Sequence, residues 1–308
     1  MTSGTKTPRP GSLGGVGIGW REPLADLLTD LATRGRLGFS EVIAERIGDR
    51  PPEGVRELLD RSVPVIAHGV GLGLAGAHRP DPARLARLTR AAQVLGSPLV
   101  SEHVAFVRAS APAHDPRARL HADVLEAGHL VPGPRTRQSL RILVANVRET
   151  MAELPVPLAL ENPASTLPWP EDELDEITFL SELVQQTGCW LLLDLANLRV
   201  SAHTDALVGR RTDPVEVLTR IPWERVAYTH VAGGAEHDGI LLDTHAHPIA
   251  DEVYALVAQM LDASPDPPGV LIERDSQIDP VQTEAEWQRL ARMVDRTTGS
   301  AGWPGAYP

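Results

Sequence analysis

The chain has 308 residues, 42% of them hydrophobic, and carries a formal net charge of −12 with a pI near 5.4. That is enough apolar material for one large core, and an acidic balance argues against nucleic acid or an anionic membrane as the main partner, since both repel it. Its one cysteine, Cys189, rules out an intramolecular disulfide and, sitting in an apolar run, reads as a small buried hydrophobe. The start has no apolar signal-like core and no run of about 18 apolar residues occurs, so a cytoplasmic protein is expected.

Residues 1–13 read as a disordered arm and 298–308 as a Gly/Pro-rich tail, flanking a single domain at 14–297. Within it, short β-rich runs alternate with amphipathic helical patterns. The first strand is expected at 16–20, with a helix over 22–35 on which Leu24, Leu27, Leu28 and Leu31 recur at helical spacing. Strand two is expected at 38–45 and helix two at 53–61, then strand three at 63–68 and a glycine-rich loop. Asp81-Pro82 opens helix three, and strand four follows at 98–104. The stretch 106–133, rich in Pro, Gly and His, is too long for an ordinary connection and reads as a lid or binding loop. Thereafter the pattern gives a helix at 134–152, strand 156–161, helix 172–187, strand 189–194, helix 213–221 and strand 225–231, closing with helix 248–262, strand 269–274 and helix 280–296. Eight strands and eight helices in alternation predict a (β/α)8 TIM barrel.

Seven of those strands end in a His, Asp or Glu: Glu45, His68, His103, Glu161, Asp194, His230 and Glu273. The carboxyl ends of barrel strands all open on one face, so these side chains should converge there. A lone histidine at a strand end is ordinarily a hydrogen-bonded core residue, but crowded carboxylates must be protonated or neutralised by cations. Imidazoles among them favour a transition metal over calcium or magnesium. The segment LLDTHAHPI adds Asp243 and His245, whose two-residue spacing puts both on one side of an extended chain. Asn197, three residues after Asp194, offers a neutral oxygen that can ligate or orient water. His203 and His247 are nearby and read as solvated loop histidines.

The loop GLGLAG at 71–76 matches a dinucleotide fingerprint but lacks its context, because no acidic strand end follows about twenty residues on. Those glycines read instead as letting the backbone pass close to the metal-binding face. No G-x-S-x-G elbow is present to suggest serine catalysis.

Taken together, AHGVGLGLAG (67–76), SEHVAF (101–106), ALENPAS (159–165), LLLDLANLRVSA (191–202), THVAGG (229–234), DTHAHP (243–248) and IERD (272–275) resemble the multinuclear non-haem iron-dependent oxidative enzymes, the family of the methanobactin iron oxidase. The resemblance covers about residues 14–297. It implies a xylose-isomerase-like TIM barrel holding two or three irons of mixed Fe(II)/Fe(III) state, which uses O2 to modify a ribosomally made precursor peptide, often at cysteine. It also implies a separate partner protein that delivers the peptide. Carried over residue by residue, it puts His68, His103 and Glu161 on one metal and Glu161, Asp194, His230 and Glu273 on a second, with Glu161 bridging. Asn197, Asp243 and His245 would hold a third, and Glu161, Asp194 and Asn197 would be the residues closest to the chemistry. Two positions depart from the family pattern: Arg46 stands where an Asn is usual after Glu45, and Gly234 where a His often ends the motif. Two other classes share barrel and ligand order, namely trinuclear zinc phosphodiesterases of the endonuclease IV type and metal-dependent sugar isomerases. A non-catalytic metal-dependent scaffold is a third reading.

Overall fold

The computed structural model describes Pro10 and residues 13–110 and 124–298. Eight parallel strands close a barrel: β1 (Val16–Gly19), β2 (Ser40–Ile43), β3 (Val65–His68), β4 (Val100–His103), β7 (Leu158–Glu161), β8 (Trp190–Asp194), β9 (Val226–Val231) and β12 (Gly269–Ile272). β1 pairs with β12 to close the ring. Two hairpins rise from its carboxyl end, β5 (Ala105–Ser110) with β6 (Val124–Pro132), and β10 (Ala235–His237) with β11 (Ile240–Leu242). The surrounding helices are α1 (Ala25–Thr33), α2 (Glu53–Asp60), α3 (Pro82–Leu95), α4 (Arg137–Glu153), α5 (Glu176–Thr187), α6 (Leu195–Leu207), α7 (Pro214–Thr219), α8 (Asp251–Ala263) and α9 (Pro280–Thr298). The TIM-barrel expectation is met. Apart from Pro10 and Leu13, the latter buried with the barrel interior, the expected arm lies outside the described residues, as does the tail beyond Thr298.

Local chemistry sets the helix boundaries. Asp81 caps α3 by accepting from Ala83 N and Arg84 N, with Pro82 in the first turn, and Gly96 ends it in a left-handed conformation. Thr136 and Ser139 form a reciprocal capping box on α4. The sequence pattern does not reveal α6, which begins directly at Asp194. Its buried residues include Leu195, Leu198 and Val200 together with Asn197, Ser201 and Thr204, so no polar face marks it as amphipathic. The stretch 106–133 is not a structureless loop where it is described: β5 and β6 pair from Ala105–Pro132 to Ser110–Val124. Residues 111–123 lie outside the described residues.

Two apolar layers build the core. One lies between barrel and helices. The other fills the barrel with Phe39, Ile66, Leu99, Ala159, Leu192, Tyr228 and Leu271. Strand side chains alternate in and out, so the next inward position after each of these, two residues on, belongs to the layer above. Those residues are Glu41, His68, Ser101, Glu161, Asp194, His230 and Glu273. The barrel is plugged with hydrocarbon below and charge above.

Candidate metal centre

The upper layer is buried almost completely: His68, Glu161, Asp194 and His230 are at most 1% exposed, and Glu273 and His103 5% and 7%. Ligand-type atoms of His68, His103 and Glu161 lie within 4.8 Å of one another, as do those of Glu161, Asp194, His230 and Glu273. Glu161 belongs to both groups. Its Oε2 is 3.2 Å from His103 Nε2 and 3.7 Å from His68 Nε2, and its Oε1 is 3.5 Å from His230 Nδ1.

Each histidine has one nitrogen held from behind. Ser101 Oγ is 2.9 Å from His68 Nδ1, Gly69 O is 3.1 Å from His103 Nδ1, and Glu41 Oε2 is 3.1 Å from His230 Nε2. Tyr228 OH donates to Glu41 Oε2, and its oxygen lies 2.8 Å from Ser101 Oγ. Outer partners of this kind fix ring orientation and leave the other nitrogen facing inward. Asp194 Oδ1 caps α6 by accepting from Asn197 N at 2.8 Å. Asn162, next to Glu161, ties the same corner by donating to Asp194 O and accepting from Asp194 N.

Among the described residues, Glu161 Oε2, Asp194 Oδ2, Asn197 Oδ1 and His230 Nδ1 are buried without a hydrogen bond. A buried polar atom left unpaired costs about 1–3 kcal/mol, and these belong to converging ligand types. Metal cations fit that donor set. Without cations, protons balance the charge. Burial disfavours the charged forms throughout, yet Glu161 and Glu102 raise His103 to about 9, and Glu41, Glu161 and Glu273 hold His230 well above the usual imidazole range. Burial, then Asp243 and Glu161, push Asp194 up to about 8.

Asp243 and His245 are half-buried in the loop after β11, with His245 Nε2 2.8 Å from the Asp243 carboxylate. The structure also groups His245 with Glu273 and Asp275. His203 Nε2 bonds Gly239 O and His247 Nδ1 faces Thr244 Oγ1, so both are engaged elsewhere.

Glu45 differs from the expectation that it ends strand two. β2 stops at Ile43 and a short 3-10 turn carries Glu45 away, so the acid that reaches the interior is Glu41. The signal was in the sequence: Glu41 follows the inward Phe39 by two. Glu45 instead accepts from Val70 N, and Glu102 from Gly71 N and Leu72 N. Two carboxylates thus occupy the amide donors of the glycine loop that a phosphate would need. A Cβ at Gly71 would sit 2.8 Å from Glu45 Oε1, so the Glu45 carboxylate would have to shift to admit a side chain there. Arg46 is exposed. At Gly234 a Cβ would lie 2.5 Å from Leu242 O, so this backbone excludes the histidine the family pattern suggests.

A closed parallel barrel whose mouth gathers buried carboxylates and imidazoles defines an enzyme of TIM-barrel architecture with a metal-binding type of site. The chain belongs to the family described as RiPP precursor modification enzyme MbnB/TglH/ChrH, which matches residues 15–295. RiPPs are ribosomally synthesised and post-translationally modified peptides, and this is the family the sequence segments resemble. A UPF0276 protein of Streptomyces avermitilis is 44% identical over 284 residues, covering 92% of this chain and 55% of the relative. One from Chromobacterium violaceum is 35% identical over 271 residues, covering 88% and 91%. The chain therefore spans about half the length of the Streptomyces relative and nine-tenths of the other. Endonuclease IV from Thermus thermophilus superposes with a TM-score of 0.57 at 18% identity, covering 92% of this chain and 99% of that one. The 3-keto-D-glucoside 4-epimerase of E. coli gives 0.56 at 13%, covering 91% and 99%. These two likenesses show the fold. No helix among the described residues is long and apolar enough to cross a membrane.

Proposed function

We propose that the protein is a multinuclear non-haem iron oxidase or oxygenase that uses O2 to modify a ribosomally synthesised precursor peptide at cysteine. The observation that carries this reading is the pair of buried ligand groups sharing Glu161, with inward atoms left unbonded. His68, His103 and Glu161 would hold one iron, Glu161, Asp194, His230 and Glu273 a second, and Asn197, Asp243 and His245 a third. Bound iron would supply one-electron redox chemistry with O2 as oxidant. The chain's own contribution is placement. Tyr228, Glu41 and Ser101 set the imidazole orientations, and the hydrocarbon plug under the charged layer keeps bulk water from the strand side. Glu161, Asp194 and Asn197 would be the residues closest to the chemistry.

Substrate delivery belongs to the same reading. A separate partner protein would carry the peptide to the mouth, and the β5–β6 hairpin, rising directly after His103, would help to receive it.

Anaerobic purification followed by metal analysis and peptide turnover tests the reading. Two or three irons with O2-dependent modification are expected. Full activity with zinc alone would favour a hydrolase and remove the iron reading. For delivery, an Asn-Gly turn joining Ser110 to Val124, which already pair, replaces 111–123 with little strain. Turnover should fall with metal content intact, and unchanged turnover would discard the receiving role.

A further inference from the structure

His245 is the one expected ligand with a strained backbone. Its φ of 49° lies in the left-handed region, which costs a non-glycine residue about 1–2 kcal/mol and persists only where surroundings enforce it. The enforcement comes from Asp275, at two points. Asp275 N donates to His245 O at 2.9 Å, and Asp275 Oδ2 lies 3.1 Å from His245 Nδ1. Asp275 is in turn held by Arg21, whose Nε donates to Asp275 Oδ1 at 2.9 Å and whose Nη2 reaches the same oxygen. Arg21 is 6% exposed, and its Nη1 bonds Trp20 O. The far end of the loop is pinned separately, by Arg274 on His247 O and by Glu286, which pairs with Arg274 and accepts from Ile249 N at 2.9 Å.

Asp275 could itself be a ligand, since it groups with His245 and Glu273. The guanidinium argues otherwise. Arg21 already supplies Asp275 with a positive charge and stands 3.8 Å from Glu273, so a metal on the Asp275 side would face a buried cation. With Nδ1 committed to Asp275, the nitrogen left for a metal is Nε2, which faces Asp243 at 2.8 Å.

We infer that Arg21 and Asp275 are a positioning pair that turns His245 Nε2 toward Asp243 and thereby makes the third metal position. The inference rests on the proposed trinuclear reading. The pair also straddles the barrel's closing seam: Arg21 follows β1 and Asp275 follows β12, the two strands whose pairing completes the ring.

The test is anaerobic Co(II) titration of the metal-free full chain, followed by visible absorption, with the thermal midpoint as a check on folding. Wild type should take up three equivalents. Asp275→Asn and Arg21→Gln should each bind two as wild type does and the third at least about tenfold more weakly, as loss of an outer partner does elsewhere. Arg21→Lys, which keeps the charge but loses the two-nitrogen grip, should fall between. Unchanged binding of all three in Asp275→Asn overturns the inference alone. Loss in Asp275→Asn but not in Arg21→Gln makes Asp275 a ligand and overturns it too, as does equal weakening of all three sites with a lowered midpoint. If wild type binds only two, the trinuclear reading fails and the inference with it.

Discussion

The two parts of the site are built differently. His68, His103, Glu161, Asp194, His230 and Glu273 stand on or beside strands, at most 7% exposed, and their positions follow from barrel register. Asp243 and His245 stand on a loop, half-buried, with His245 held by Asp275 and, through it, by Arg21. Moving a strand ligand means breaking the backbone ladder. Moving a loop ligand takes only the loss of a few hydrogen bonds. The inner pair of positions should therefore be tight and persistent, and the outer one conditional.

The largest effect is expected from Glu161→Gln. An oxygen ligand shared by two ions should cost more metal than any other single carboxylate change, and elemental analysis should show well under two equivalents retained. Asp243→Asn should lose one equivalent only. If Glu161→Gln keeps its full complement while Asp243→Asn loses all, the bridge is misassigned. Glu41→Gln comes next. As an outer carboxylate on His230 it should weaken binding about 10–100-fold while leaving the saturating stoichiometry unchanged. A lower stoichiometry at saturation would make Glu41 a ligand, a role its grouping with His68 and Glu273 also allows.

Glu176 is the control, an enclosed carboxyl outside both regions that should not affect metal at all. Burial raises it to about 7 from 4.5, against the opposing effects of Arg135, Asn162 and Ser201. The fold thus prefers its protonated form, so stability is lost as pH climbs from 4.5 to about 7 and is level above that. Its Oε1 is buried and unbonded, although the residue keeps some exposure. Glu176→Gln should gain about 1–3 kcal/mol at pH 8 and little near pH 4.5 in denaturant unfolding. An equal gain at both values would mean that the proton is not the cause.

The barrel and the convergence of His, Asp and Glu at its strand ends were legible in the sequence because two periodicities coincide. Apolar alternation marks each strand, and the chemistry recurs at the end of each. His68, His103, Glu161, Asp194, His230 and Glu273 could be read off in this way. Glu41 was missed and Glu45 chosen because strand length, which decides where β2 gives way to a turn, depends on pairing with β3 rather than on local composition. The helix α6 was missed because it is enclosed on too many sides to show a stripe.

Local sequence therefore carried the alternation of elements, the face on which the His, Asp and Glu side chains gather, and the chemical kind of those side chains. Tertiary structure decided which nitrogen of each histidine points inward, how carboxylates took over the glycine-loop amides, and how Arg21 and Asp275 meet across 254 residues of chain to hold His245. Side-chain identity and short periodicities are local properties, written residue by residue. Orientation and pairing depend on contacts between distant segments, and those exist only once the barrel has closed.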